Sequence, residues 1–260
     1  MQFVRQHIDR ILIALGLGLL IILSLRTLHN LSTISATEAP QELRLDGGAL
    51  TALYTLNAGM NKPAILNSRG DALVEFSGWD SFVSVDGVSA DLWSHAFNIE
   101  LDRARDRAFL TWSSVPLRQD DPGQEGHHRR YQLEQVVTLL GPRTVVEYYI
   151  IPNEPVRTVD LTVGAYKWYL RDLRHEGDTF SFLSADLTRQ DAERRLQPGR
   201  LTQVTVRSLV PAVGVRPLVN QFGAYALDFS YEVAQPRTYE RTLVARLEVT
   251  EGPRGPAIQP

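Results

Sequence analysis

Three groups of residues in this chain have the types and spacing that chemistry needs. The densest is Arg118–Arg130 (RQDDPGQEGHHRR). Its Asp120, Asp121, Glu125, His127 and His128 are the oxygen and imidazole ligands that a divalent cation takes. The same composition describes a solvated loop. Adjacent histidines point apart unless the backbone bends, and the arginines at both ends of the segment repel a cation. The loop is the reading adopted, with Asp120, Asp121, His127 and His128 as the metal candidates it displaces. The second group is His95, beside Trp93 in DLWSHAF, together with His175 and a carboxylate from Asp172 or Glu176. An imidazole and a carboxylate converging on a sugar can exchange protons with its hydroxyls. Histidines at strand ends more commonly serve as hydrogen-bonding groups, so no catalytic residue is assigned. The third group is aromatic. Trp93, Tyr166 and Trp168 can present flat rings to a glycan, and the competing role for them is packing in a β core.

Other chemistries are excluded. There is no cysteine, which removes thiolate nucleophiles, disulfides, iron–sulfur clusters and cysteine-ligated zinc. Ser94 and Ser113 lack the Gly-x-Ser-x-Gly setting of a hydrolase elbow. No glycine-rich loop precedes a helix to cradle phosphate. The chain calls for no cofactor.

Strands must position all of these groups. Ala49–Leu56 follows the Gly47-Gly48 turn, and Phe82–Val85 closes on Asp86-Gly87, a hairpin turn pair. Ala72–Phe76 is a further short run, and residues 97–112 read as a hairpin around DRARD with one wet face. The clearest block is Tyr131–Leu170. It reads as three long strands rich in Val, Thr and Tyr, parted by Gly141-Pro142 and by PNEP. In the middle strand Val146, Tyr148 and Ile150 point one way. Val145, Glu147 and Tyr149 point the other, with Glu147 expected at an edge. More strands are predicted at 179–183, 201–209, 222–233 and 241–250, and one short helix at 185–196. About ten to twelve strands with little helix indicate an antiparallel sandwich.

The N-terminus sets the address. Ile11–Leu25 is a run of fifteen uncharged, mostly apolar residues between Arg10 and Arg26. As a helix it spans about 22 Å of a hydrocarbon core about 30 Å thick. Apolar residues continue past Arg26, whose long side chain can reach the interface, to Leu31. A cleaved secretory signal has an apolar region of the same size, so it competes with a retained anchor. The anchor over residues 11–31 is the reading adopted, because small-x-small cleavage sites beyond it are poor. Arg5 and Arg10 against Asp9 favour a cytoplasmic N-terminus of residues 1–10 and an external C-terminal domain. Ala14 and Gly18 form a small-xxx-small pair against which another helix can pack. Residues 32–42 read as a stem, 43–250 as the β domain, and 251–260 as a disordered tail.

Charge narrows the partners. The chain carries −3; residues 1–30 carry Arg5, Arg10, Arg26 and Asp9, a net of +2, which leaves −5 for residues 31–260. That sign offers no footprint for nucleic acid. It also opposes lying flat on anionic lipid.

The rhythm of residues 133–163 is strand, tight turn, strand ending at Asn153, Pro-bearing link and strand. It is similar to the central sheet of galactose-mutarotase-like β-supersandwich domains. Gly47-Gly48-Ala49-Leu50-Thr51-Ala52-Leu53 resembles their first hairpin. The external domain of YidC-type membrane insertases has the same fold and also follows a membrane helix. The resemblance implies a supersandwich over residues 43–250. It transfers no catalytic residue, since no motif matches the mutarotase histidines and carboxylate. It transfers no insertase activity, since the later membrane helices are missing.

The whole is therefore read as mainly β, a single transmembrane helix followed by a large antiparallel sandwich, in a bacterial cell membrane with the domain outside. The expected role is that of a non-enzymatic accessory or structural protein, bound to the bilayer by residues 11–31 and contacting a membrane-protein complex or client. Two alternatives stay open: a carbohydrate-binding or sugar-modifying envelope domain, and a chaperone-like domain for membrane or exported proteins.

Overall fold

Alternation between apolar and polar residues decides where this chain is extended and which way each side chain turns. The strand Leu201–Ser208 (LTQVTVRS) shows it plainly, with Thr202, Val204, Val206 and Ser208 buried and Gln203 and Arg207 exposed. A computed structural model describes residues 42–55, 63–76, 81–92, 98–112, 131–167, 170–185, 201–219 and 224–252. All of them belong to one unit, Gln41–Pro260. Seventeen strands run through the described residues. They are β1 (Glu42–Asp46), β2 (Leu50–Thr55), β3 (Ala64–Asn67), β4 (Ala72–Phe76), β5 (Phe82–Val85), β6 (Val88–Asp91), β7 (Asn98–Asp102), β8 (Arg107–Trp112) and β9 (Tyr131–Leu140). There follow β10 (Arg143–Pro152), β11 (Thr158–Lys167), β12 (Leu170–Glu176), β13 (Thr179–Ala185), β14 (Leu201–Ser208), β15 (Gly214–Val219), β16 (Tyr225–Ala234) and β17 (Thr242–Glu251).

They pair antiparallel into two sheets. The nine-stranded sheet runs β1-β2-β3-β4-β11-β16-β15, with β5 on β11 and β6 on β5. The eight-stranded sheet runs β12-β13-β14-β17-β10-β9-β8-β7. The core lies between them. Tyr54, Ile65, Phe76, Val163 and Phe229 come from the first sheet, and Leu133, Val146, Tyr148, Phe180, Phe182 and Leu247 from the second. This agrees with the expected mainly β, antiparallel sandwich. The Gly47-Gly48 turn joins β1 to β2. Gly48 takes a left-handed φ of 80°, and a Cβ on Gly47 would stand 2.8 Å from Cβ of Leu139, so this corner touches the second sheet only because it has no side chain. At Asp86-Gly87 both residues have positive φ, 51° and 84°, the geometry of a primed hairpin turn.

Three expectations change. The strands outnumber the ten to twelve read from the sequence, the additional ones being β1, β3, β6, β12 and β15. The third strand of the 131–170 block is β11, in the nine-stranded sheet, and its last predicted residue, Leu170, instead opens β12 in the eight-stranded one. The PNEP link therefore carries the chain from one sheet to the other. Glu147 sits at no edge. It lies on β10, between β9 and β17, and its cross-strand neighbour Arg246 neutralises it, with Nε 3.3 Å from Oε1. The anchor with Ala14 and Gly18, the 118–130 loop, most of the 185–196 helix and the tail beyond residue 252 lie outside the described residues.

Four tyrosines reach into or beside the core: Tyr54, Tyr131, Tyr148 and Tyr231. Burial raises the phenol of each above its ordinary range. Gln135 Nε2 donates to the Tyr148 hydroxyl at 2.7 Å and partly offsets this, as does Ser208 beside Tyr231 at 2.8 Å. The native state thus keeps protons that the unfolded chain gives up near pH 10. Stability is full below that pH and falls as pH rises through and beyond it. We expect tyrosinate absorbance and loss of circular dichroism to appear together in one steep alkaline transition. A gradual titration of all the tyrosines with the fold intact would contradict the burial.

Thr144 is fully buried on β10, and its hydroxyl has no partner among the described residues. Replacing the hydroxyl by a methyl removes an uncompensated polar atom. Thr144→Val should stabilise by about 1 kcal/mol, read as a higher denaturant midpoint at unchanged slope.

Candidate functional site

The outer face of the eight-stranded sheet holds the candidate site. Because side chains alternate, β10 turns Val145, Glu147 and Tyr149 outward, β9 turns out Glu134, Val136, Thr138 and Leu140, and β8 turns out Arg107 and Phe109. From β17 come Arg246 and Glu248, and from β14 Arg207. Glutamates and arginines face each other across strands. Glu134 Oε2 accepts from Arg241 Nε at 2.7 Å. Glu147 pairs with Arg246. Glu248, mostly buried, accepts from Arg207 Nη2 at 2.7 Å and lies 3.5 Å from Arg143. The guanidinium of Arg241 also covers the ring of Tyr149, 3.3 Å from its centroid. Burial raises the Tyr149 phenol, and the nearby Glu147 adds to this while Arg241 opposes it.

A hollow of about 380 Å³ opens among these groups. Phe109, Val136, Val145 and Leu140 give it apolar walls, and Arg107, Arg241, Arg246 and Glu147 give it charged ones. A second hollow, about 430 Å³, lies at the far end of the same face on β12–β14. Asp172, Arg174 and Glu176 line it with Thr179, Ser181 and Gln203. The Glu248–Arg143–Arg207 cluster stands between the two.

The structure brings Asp172 and Glu176 together in the second hollow. It does not bring His175 to them. His175 is paired with Phe180, whose ring points into the core. The imidazole therefore turns to the opposite side of β12, stacks on Phe180 with 4.6 Å between centroids, and donates from Nε2 to the Gly177 carbonyl at 2.7 Å. Tyr166, from the proposed aromatic platform, is buried on β11 in the other sheet. His95, Trp93, Trp168, Asp120, Asp121, His127 and His128 lie outside the described residues. Among the described residues no group of three His, Cys, Asp or Glu is placed to hold a metal ion. The first hollow went unread in the sequence. Its signal was the Glu147/Tyr149 alternation on β10, but the arginines that complete it are far off in the chain, Arg107 upstream and Arg241 and Arg246 about a hundred residues downstream.

No protein-family model matches the chain, and no curated protein does. Solved structures match in outline. A galactose mutarotase related enzyme from Lactobacillus acidophilus is 6% identical with a TM-score of 0.48, covering 84% of this chain and 100% of that one. A protein from Synechocystis is 10% identical with a TM-score of 0.47, covering 84% and 98%. A heparan sulfate lyase from Pedobacter heparinus is 9% identical with a TM-score of 0.42, covering 82% of this chain and 35% of the lyase. These likenesses concern the arrangement of strands and stop there, for at such identities neither activity nor substrate passes to this chain.

Proposed function

We propose that this chain is a membrane-anchored accessory protein that works by binding, and that its external β domain holds a protein partner on the outer face of the eight-stranded sheet. Residues 11–31 are the anchor, with the N-terminus in the cytoplasm of a bacterium and the domain outside. The observation that carries the reading is the make-up of that face. Apolar side chains are set among guanidinium–carboxylate pairs over five neighbouring strands, the mixture by which one protein surface fixes the register of another. Of the aromatic platform Trp93, Tyr166 and Trp168, only Tyr166 is described, and it is buried, while Arg241 covers the Tyr149 ring on the candidate face.

The test is gentle detergent extraction of native membranes carrying the tagged full chain, followed by sizing and mass spectrometry. The reading expects a stoichiometric assembly that Leu140→Glu, a change at an exposed rim position, dissociates while the domain stays folded. A lone particle of the chain's own mass would overturn it and turn attention to sugars. Release as a shortened soluble chain would remove the anchor.

A further inference from the structure

Within the first hollow one cation differs from its neighbours. Arg241 and Arg246 are engaged by Glu134 and Glu147. Arg107 lines the same hollow, is exposed, and makes no ion pair among the described residues. Its cross-strand neighbours are Thr138 on β9 and Asp102 on β7, and the Asp102 carboxylate lies 3.7 Å from Arg105 instead. The next outward residue along β8 is Phe109, which stands opposite Val136. Leu140, 47% exposed, is on the rim. Glu100 and Asp102 belong to β7, one strand outside the lining.

We propose that this hollow receives an extended segment of the protein partner, with a carboxylate side chain on Arg107 and an apolar side chain over Phe109 and Val136. The assignment rests on the reading above and names the chemistry of what binds. Two arguments support it. Glu134 and Glu147 already answer Arg241 and Arg246, which leaves Arg107 as the guanidinium of the lining that an acid from the occupant can engage. Residues i and i+2 of an extended chain project on one side about 7 Å apart, the spacing of Arg107 and Phe109 on β8 itself. An acidic residue separated from an apolar one by a single position therefore fits without adjustment, whether the segment runs along β8 or against it. A carboxylate there accepts charge-assisted hydrogen bonds from the planar guanidinium fork.

The experiment uses the full chain in nanodiscs of neutral phosphatidylcholine and two fluorescent peptides of about ten residues, long enough to span the hollow. One alternates Glu and Leu at every second position with Ser between; the other has Gln for Glu. The Glu peptide should bind about tenfold tighter, as one charge-assisted contact allows. Arg107→Gln should bring the ratio to about one, and Arg107→Lys should restore part of it. Thr138→Glu, which sets a carboxylate opposite Arg107 and leaves the arginine in place, should also abolish the preference, so the result does not depend on one variant folding. Equal binding of both peptides to the parent chain, or a preference that survives both Arg107→Gln and Thr138→Glu, would overturn the assignment. The two proposals fail separately. A partner that co-purifies and ignores Arg107→Gln sinks only this one, whereas a peptide preference with no assembly in native membranes sinks only the accessory role.

Discussion

Phe229→Ala lowers the unfolding free energy by about 4 kcal/mol. Phe229 is fully buried on β16, where its cross-strand neighbours are Val163 on β11 and Val215 on β15. Its ring meets Phe180 of the opposite sheet edge to face, with centroids 5.3 Å apart and an interplanar angle of 81°. Truncation loses the transfer of a benzyl group from water, the edge-to-face contact, and the packing of a void that strands on both sides cannot close. Leu at 229 fills much of that volume and should cost less than half as much. In a domain of this size the alanine variant should melt roughly 8–16 °C below the parent. A drop of under 2 °C would mean that the two sheets are not joined through this pair. His175 also stacks on Phe180, so the change should reach the His175 imidazole resonances.

Asn67→Ala is the second large effect, about 3 kcal/mol from donors and acceptors left unpaired. Asn67 is 2% exposed and uses its whole amide. Oδ1 accepts the backbone N–H groups of Arg69 at 3.0 Å and Asp71 at 2.9 Å. Nδ2 donates to Asp71 Oδ2 and to Glu251 Oε1, both at 3.3 Å. The first three contacts shape the β3–β4 turn; the fourth ties that turn to β17 in the other sheet. Arg69 adds a second tie, donating to Thr202 Oγ1 on β14 at 2.9 Å while it pairs with Asp71 at 2.8 Å. Ser184 of β13 and Lys167 of β11 both donate to the Ala72 carbonyl beside the turn. Asn67→Asp separates packing from polarity. It preserves the two accepted backbone bonds but sets a third carboxylate against Asp71 and Glu251. Like charges raise its folded-state pKa above that of the unfolded chain. The penalty is therefore full at neutral pH, and stability returns as pH falls through that raised value. Denaturant midpoints at pH 7 and pH 4.5 should converge toward the parent for Asp and stay apart for Ala. Parallel behaviour of the two variants would remove Glu251 and Asp71 from the account.

Strands whose apolar runs are closed by clear turn signals were legible in the amino-acid order alone. β4, β5 and β8 have the bounds that their residues predict, and β9 and β10 follow from YQLEQVVTLL and RTVVEYYII around Gly141-Pro142. That order also determined the two faces of β10, because a side-chain period of two is local and every residue votes on it. Turn chemistry was equally legible at Gly47-Gly48 and Asp86-Gly87, where a positive φ admits few residues.

Tertiary structure alone decided which strands share a sheet. Nothing in VRTVDLTVGAYKWYL says that β11 leaves the sheet of β9 and β10, or that the strand opening at Leu170 returns to it, since sheet membership is set by distant partners. Strand pairing also placed Glu147 at mid-sheet, because its counter-charge is Arg246, 99 residues away in the sequence. The separation of His175 from Asp172 and Glu176 has the same origin. Three residues within one short strand look like a cluster when read along the chain. The pairing of His175 with Phe180, and an irregularity between Arg171 and Arg174, send the imidazole to one side and the carboxylates to the other. Periodicity is written residue by residue, whereas the partner across each strand is chosen by the packing of the whole domain.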